Sequence, residues 1–296
     1  MRIIRTPEGR FDNLPDFPFT PRFVEVGGLT VHYVDEGSGQ PILLLHGEPT
    51  WSFLYRKMIG PLARSHRVLA PDFVGFGKSD KPADPSDYSF GMHTGTLKGF
   101  VEKLDLVDIT LVVHDWGGMI GLSFAAQNPR LIKRLVILNT GLPTGRKTSP
   151  AFMQWREFVA NTPDLPIDVV IRMGLAKPDG VTDEVIAGYT APFPDGSFKA
   201  GARAWPLMVP IAPDSPVALE NSRTRDALSR WEKPALVLFS DKDPISKGAD
   251  GFFRELIPTA KDQPPVTISD AGHFLQEEKP EEIARHIIEF IERTRG

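Results

Sequence analysis

The chain has 296 residues, 41% of them apolar, enough to bury the core of one large domain or of one domain carrying an insertion. A formal charge of −4 gives no basic footprint for nucleic acid, and the absence of cysteine removes disulfides, thiolate nucleophiles and Cys-ligated metals together. The seven histidines show no paired ligand spacing, so neither a metal nor another cofactor is expected. With no apolar leader after Met1 and no uninterrupted apolar run of about 18 residues, the sequence reads as a soluble cytoplasmic protein without membrane contact.

Strand-like runs follow one another at Phe23 to Glu25, Val31 to Asp35, Pro41 to Leu45, Arg67 to Ala70, Ile109 to His114, Leu135 to Leu138, Ala235 to Phe239 and Val266 to Ser269. After the third they alternate with helical patterns, which predicts an α/β fold whose mostly parallel, eight-stranded sheet is covered by helices on both faces. From Asn139 to about Asp214 the alternation stops: prolines are frequent and no buried strand is visible, so short helices joined by loops are expected. That stretch leaves the sheet at its carboxyl edge, where open α/β folds bind ligands. The division is therefore a core of residues 1–139 and 215–296 with an inserted helical cap of residues 140–214. Ile283, Ile287, Phe290 and Ile291 recur at helical spacing and predict a closing helix.

Chemistry concentrates at three turns. The run Ile109, Leu111, Val112, Val113 makes a buried strand; Asp115 follows, then Gly117 and Gly118, then a helical stretch from Met119 to Asn128. This is the layout of a strand-to-helix nucleophile elbow with a carboxylate in the serine position, and a carboxylate can attack carbon and form an ester. An Asp at such a place also serves as a plain helix cap. His46-Gly47-Glu48-Pro49 follows an early apolar strand, where backbone N–H groups for an oxyanion are found in this architecture. Asp270-Ala271-Gly272-His273 puts a histidine in the loop after the last strand, and Asp241 and Asp243 follow the strand before it. Nucleophile, acid, histidine is the chain order of the α/β-hydrolase triad, with either aspartate able to supply the acid.

With His46-Gly47-Glu48-Pro49-Thr50-Trp51, His114-Asp115-Trp116-Gly117-Gly118, Trp155 after Phe152-Met153-Gln154, Ala191-Pro192-Phe193-Pro194-Asp195 and Asp270-Ala271-Gly272-His273-Phe274, the chain resembles a haloalkane dehalogenase. The resemblance runs from about Pro15 to Arg293 and is narrowest with the subfamily that carries a second halide-binding tryptophan early in the cap. It implies hydrolysis of a small apolar halogenated alkane to an alcohol and a halide ion, with water as co-substrate; a monomer is expected, a state that the sequence itself does not specify.

By that resemblance Asp115 is the nucleophile, His273 the base toward water and Asp243 the acid, the pattern matching Asp243 and not Asp241. Relatives that place the acid one strand earlier would need it at Asn139, which carries no charge. The N–H groups of Glu48 and Trp116 would hold the oxyanion, with the Glu48 side chain helping to place water. The indoles of Trp116 and Trp155, donors without an acceptor, would hold the halide. Phe152, Phe158, Phe193, Pro194 and Val209 are candidates to line the substrate cavity. Trp51, Trp205, Trp231, His46 and His114 read as structural, and Asp72 as part of a common hydrolase loop. Epoxide hydrolases share the aspartate elbow, but the resemblance there implies two cap tyrosines, and Tyr189 alone falls in the cap region. A non-catalytic receptor of the same fold would not need all three polar positions and both tryptophans.

Overall fold

The computed structural model describes residues 1–146 and 150–295. The strands are β1 (Ile3–Ile4), β2 (Arg22–Val26), β3 (Leu29–Gly37), β4 (Pro41–Leu45), β5 (Arg67–Pro71), β6 (Lys81–Pro82), β7 (Ile109–His114), β8 (Ile132–Leu138), β9 (Ala235–Ser240) and β10 (Val266–Ile268). Eight of them form one sheet in the order β2-β3-β5-β4-β7-β8-β9-β10, in which β2 pairs antiparallel with β3, β3 pairs antiparallel with β5, and every later pair is parallel. The central strands read as continuous apolar runs because both faces are covered: every residue of β7 is buried, as are Ile42 to Leu45 of β4. β1 and β6 form a separate two-residue ribbon, too short to leave a periodic signal in the sequence.

Helices α1 (Arg56–Ala63), α2 (Phe90–Lys103) and α3 (Trp116–Gln127) connect the early strands. Between β8 and β9 lie α4 (Pro150–Asn161), α5 (Ile167–Met173), α6 (Asp183–Thr190), α7 (Ala200–Met208) and α8 (Pro216–Leu228), and no strand occurs there among the described residues. The short helices predicted from Asn139 to Asp214 are therefore present, and α8 returns the chain to the core beside α3. The chain ends with α9 (Ala249–Leu256), α10 (Leu275–Glu278) and α11 (Pro280–Arg293). Helix α11 buries Ile283, Ile287, Phe290 and Ile291 along one stripe and packs beside α1. No described helix is long and apolar enough to cross a membrane.

Two features of this topology place a site. β4 lies between β5 and β7, so the chain departs in opposite directions from its two neighbours, and the crevice at the carboxyl ends belongs to such a switch point. The register then pairs Leu45 with Val113, bringing the residues after β4 alongside the residues after β7.

Candidate active site

Asp115 occupies the turn between β7 and α3 with φ 49° and ψ −120°, a conformation costly for a side chain that bears a Cβ, by about 1–3 kcal/mol. Three hydrogen bonds hold it: its N–H donates to Asn139 O (3.1 Å), and its carbonyl accepts from Gly118 N–H (2.9 Å) and Thr140 Oγ1 (2.6 Å). Gly117 is required by contact, since a Cβ there would lie 2.4 Å from Leu45 O. The tight elbow also explains why α3 starts at Trp116, three residues before the sequence pattern predicts.

The β4 turn meets the elbow directly. Glu48 N–H donates to Asp115 Oδ1 at 2.8 Å, and Trp116, first residue of α3, presents one of the helix's free N-terminal N–H groups beside it. His46 clasps the same turn, its Nε2 accepting from Phe73 N–H at 2.9 Å, which is the structural role read from the sequence. Asp72 is a second organiser: it accepts from Ser52 N–H and Lys78 N–H, each at 2.8 Å, and from the His32 ring at 2.7 Å. Burial would raise its carboxyl, but the adjacent His32 outweighs it and holds the group at about 2. Glu48 is different. Burial, then the charge of Asp115, pushes its carboxyl well above the usual range, and Oε1 is buried without a partner among the described residues.

His273 stands between two carboxylates, with Nδ1 2.9 Å from Asp243 Oδ2 and Nε2 3.5 Å from Asp115 Oδ2. Burial alone would lower its proton affinity; Asp243 and then Asp115 overcome that and raise it to about 10. Asp243 is fixed by Ile245 N–H (2.8 Å), Ser246 N–H (3.3 Å) and the Ser246 hydroxyl, and His273 holds it below its ordinary value against the effect of burial. Asp241 is exposed and makes no contact with His273, so of the two candidates the structure brings Asp243 to the ring. His114 lies behind the histidine with ring centres 4.9 Å apart, its Nε2 2.9 Å from His273 O; burial pushes it down to about 4 and leaves it neutral.

Asn139 carries no charge but holds the loop. Its carboxamide donates to Ser240 Oγ (2.7 Å) and Gly272 O (3.0 Å) and accepts from Ser240 N–H (3.0 Å), joining the ends of β8 and β9 to the turn before His273.

The tryptophans separate. Trp116 is 2% exposed and stacks on Trp205 of α7, with centroids 5.1 Å apart and planes 24° apart. Trp205, which reads as structural from the sequence, reaches from the insertion into a box of His46, Phe73, Phe76, His93 and Trp116, its N–H donating to His93 Nε2 at 2.6 Å. Burial holds His93 down at about 3, so its ring is the neutral acceptor this bond needs. Nothing in the local sequence Ala204-Trp205-Pro206 indicates that partner. Trp155 lies half-buried in α4 with Phe158 as its ring neighbour at 5.8 Å.

The expected cavity-lining residues also divide. Phe193 and Val209 are buried, and Phe152 is partly buried against the core. Pro194 is exposed and Phe158 is 38% exposed. Pro194 precedes Asp195, which caps the short helical turn Gly196–Phe198, and Phe158 has Trp155 as its ring neighbour.

Residues 40–187 match the family model of the alpha/beta hydrolase fold. A haloalkane dehalogenase of Mycobacterium marinum is 48% identical over 297 residues, covering 97% of this chain and 99% of that protein. One from Psychrobacter cryohalolentis is 45% identical over 300 residues, covering 98% of each. Among solved structures, the tetrameric haloalkane dehalogenase DpaA of Paraglaciecola agarilytica superposes with a TM-score of 0.91 at 36% identity, over 97% of both chains.

Proposed function

The chain belongs to the haloalkane dehalogenases, hydrolases acting on carbon–halide bonds, and on that premise we propose that it works through an alkyl ester on Asp115. The observation that carries the reading is the division of labour between the two Asp115 oxygens. Oδ1 sits on the Glu48 N–H, and Oδ2 faces His273. Oδ2 attacks the carbon bearing the halogen; the C–O bond forms as the carbon–halogen bond breaks, and the halide leaves with the bonding pair. Indole N–H groups of Trp116 and Trp155 receive the halide, and the helices from α4 to α7 act as the cap over it.

In the second half-reaction His273 takes a proton from water, and the hydroxide oxygen attacks Cγ of the ester. Charge gathers on Oδ1, where the N–H groups of Glu48 and Trp116 stabilise it. The alkoxide then leaves with the proton held by His273, giving the alcohol, and the carboxylic acid so formed passes its proton to His273, which restores the carboxylate and leaves the ring protonated. Asp243 stabilises the imidazolium throughout. An epoxide hydrolase reading loses its proton donor here, because the Tyr189 hydroxyl donates to Glu277 Oε2 at 2.7 Å and is buried.

Replacing His273 with Gln tests the ester. The first displacement should proceed while hydrolysis stops, so intact-protein mass spectrometry after incubation with 1,2-dibromoethane should show an adduct mapping to Asp115. An unmodified mass, with the unsubstituted enzyme active, refutes the mechanism.

A further inference from the structure

The catalytic histidine is fastened to the insertion as well as to the sheet. The N–H groups of His273 and Phe274 both donate to Gly174 O, at 2.7 and 3.4 Å, and Gly174 follows the last turn of α5. The side chain of Glu278, in α10, closes the same seam from the other side. Its Oε2 accepts from Gly272 N–H (2.7 Å) and Ala176 N–H (3.1 Å), and its Oε1 accepts from Lys177 N–H (2.8 Å). One carboxylate thus binds the residue before His273 and two residues of the insertion. The approach is close enough that a Cβ on Gly272 would lie 2.4 Å from Gly174 O. The preceding residue repeats the pattern, since Glu277 binds Arg56 of α1 and Tyr189 of α6.

Asp115 is held by Glu48 N–H, Gly118 N–H and Thr140 Oγ1, none of which touches the seam, and by the backbone carbonyl of Asn139, whose carboxamide meets Gly272 O and His273 O from the sheet side. Loosening the seam therefore displaces the base and leaves the nucleophile in place. We propose that Glu278 is a positioning residue for His273, locking the base to the cap so that ester hydrolysis, and not alkylation, depends on the cap being seated. This rests on the reading of His273 as the base of the second half-reaction.

Glu278→Gln keeps the shape but turns one acceptor into a donor facing a backbone N–H. Charge-assisted hydrogen bonds of this kind are worth about tenfold to a hundredfold. Rapid-quench kinetics with 1,2-dibromoethane should show hydrolysis slowed by about that factor and alkylation changed by less than about threefold, with the Asp115 adduct accumulating in the steady state. Hydrogen-exchange mass spectrometry should show residues 270–274 and 174–177 exchanging faster together while β7 is unchanged. Should E278Q not fold, E278D, with the charge on a shorter stem, is read by the same two assays with the same expectation. Equal slowing of both chemical steps, unaltered hydrolysis, or loosening of one segment without the other overturns the role. The control is H273Q: if it too yields no adduct, the ester reading itself has failed and the positioning role falls with it.

Discussion

Alkylation of Asp115 should discharge His273, and the proton it loses can be timed. In the resting enzyme the ring lies between two carboxylates, with its proton affinity raised to about 10. Turning Asp115 into an ester removes one of those charges from 3.5 Å away. At an effective dielectric of about 20, a unit charge at that distance contributes about 5 kcal/mol, or roughly three powers of ten in proton affinity. The Asp115 side chain is 21% exposed and that of His273 10%, so solvent screens little of this. At pH 8 the ring therefore holds its proton before the first step and releases it after, which converts an imidazolium into the base that hydrolysis needs. The second half-reaction returns a proton to the ring from water and releases none. A single-turnover experiment in weak buffer with an indicator dye should show one proton per active site appearing with the halide and ahead of the alcohol. A proton that appears with the alcohol refutes the reasoning, because the base would then have been neutral from the start.

Other consequences are simpler to read. Asp243→Asn should leave alkylation intact and slow hydrolysis by orders of magnitude, as loss of a triad acid does elsewhere, whereas Asp241→Asn should change turnover by less than about threefold; the reverse pattern would move the acid to Asp241. Trp116→Phe and Trp155→Phe should each weaken bromide quenching of intrinsic fluorescence by about tenfold to a hundredfold in affinity, and an unchanged Trp155→Phe would place the second donor elsewhere in the cap. The Asp243–His273 pair also sets a pH window for stability. The ring, raised from 6.5 to about 10, stabilises the fold fully below pH 6.5 and loses that contribution as pH climbs to about 10. The lowered carboxyl of Asp243 contributes above its ordinary 3.8 and loses it in acid. The difference in melting temperature between the unsubstituted enzyme and Asp243→Asn should be widest between pH 3.8 and 6.5 and narrow toward pH 10; a gap that widens with alkali would contradict the pairing.

Pattern reaches as far as local physics does. Pro41 to Leu45 and Ile109 to His114 were readable to the residue, because apolar runs bounded by a turn have one outcome in a buried parallel sheet. Asp115, His273 and the turn at Glu48 could be found for a related reason: each must follow a strand end. What could not be read depends on pairings across the fold. Arg56, Tyr189 and Glu277 are far apart in sequence and two of them are charges that ordinarily face water, yet they form one buried cluster. Glu278 looks like any acidic residue in a first helical turn, and its backbone partners carry no side-chain signal. Asn139 could be seen to lack the acid's charge; that its amide would brace two strand ends could not.

Where the insertion leaves and rejoins the sheet, the two chain segments touch. Gly145, at φ 71°, runs so close to the returning chain that a Cβ would lie 2.2 Å from the carbonyl carbon of Ala212. Everything between those residues is thus a loop whose ends already meet. The entropy of closing such a loop grows only with the logarithm of its length, so lengthening or shortening it costs the host sheet about 0.6 kcal/mol per doubling. Grafts of foreign helices should therefore be tolerated at this crossing, provided they supply backbone donors for Glu278, a hydroxyl for Glu277 in place of Tyr189, an acceptor for the Trp51 N–H and an aromatic ring for the slot that Trp205 fills. Sequence change can accumulate in one exchangeable stretch while the turns after β4 and β7 and the histidine loop stay as they are.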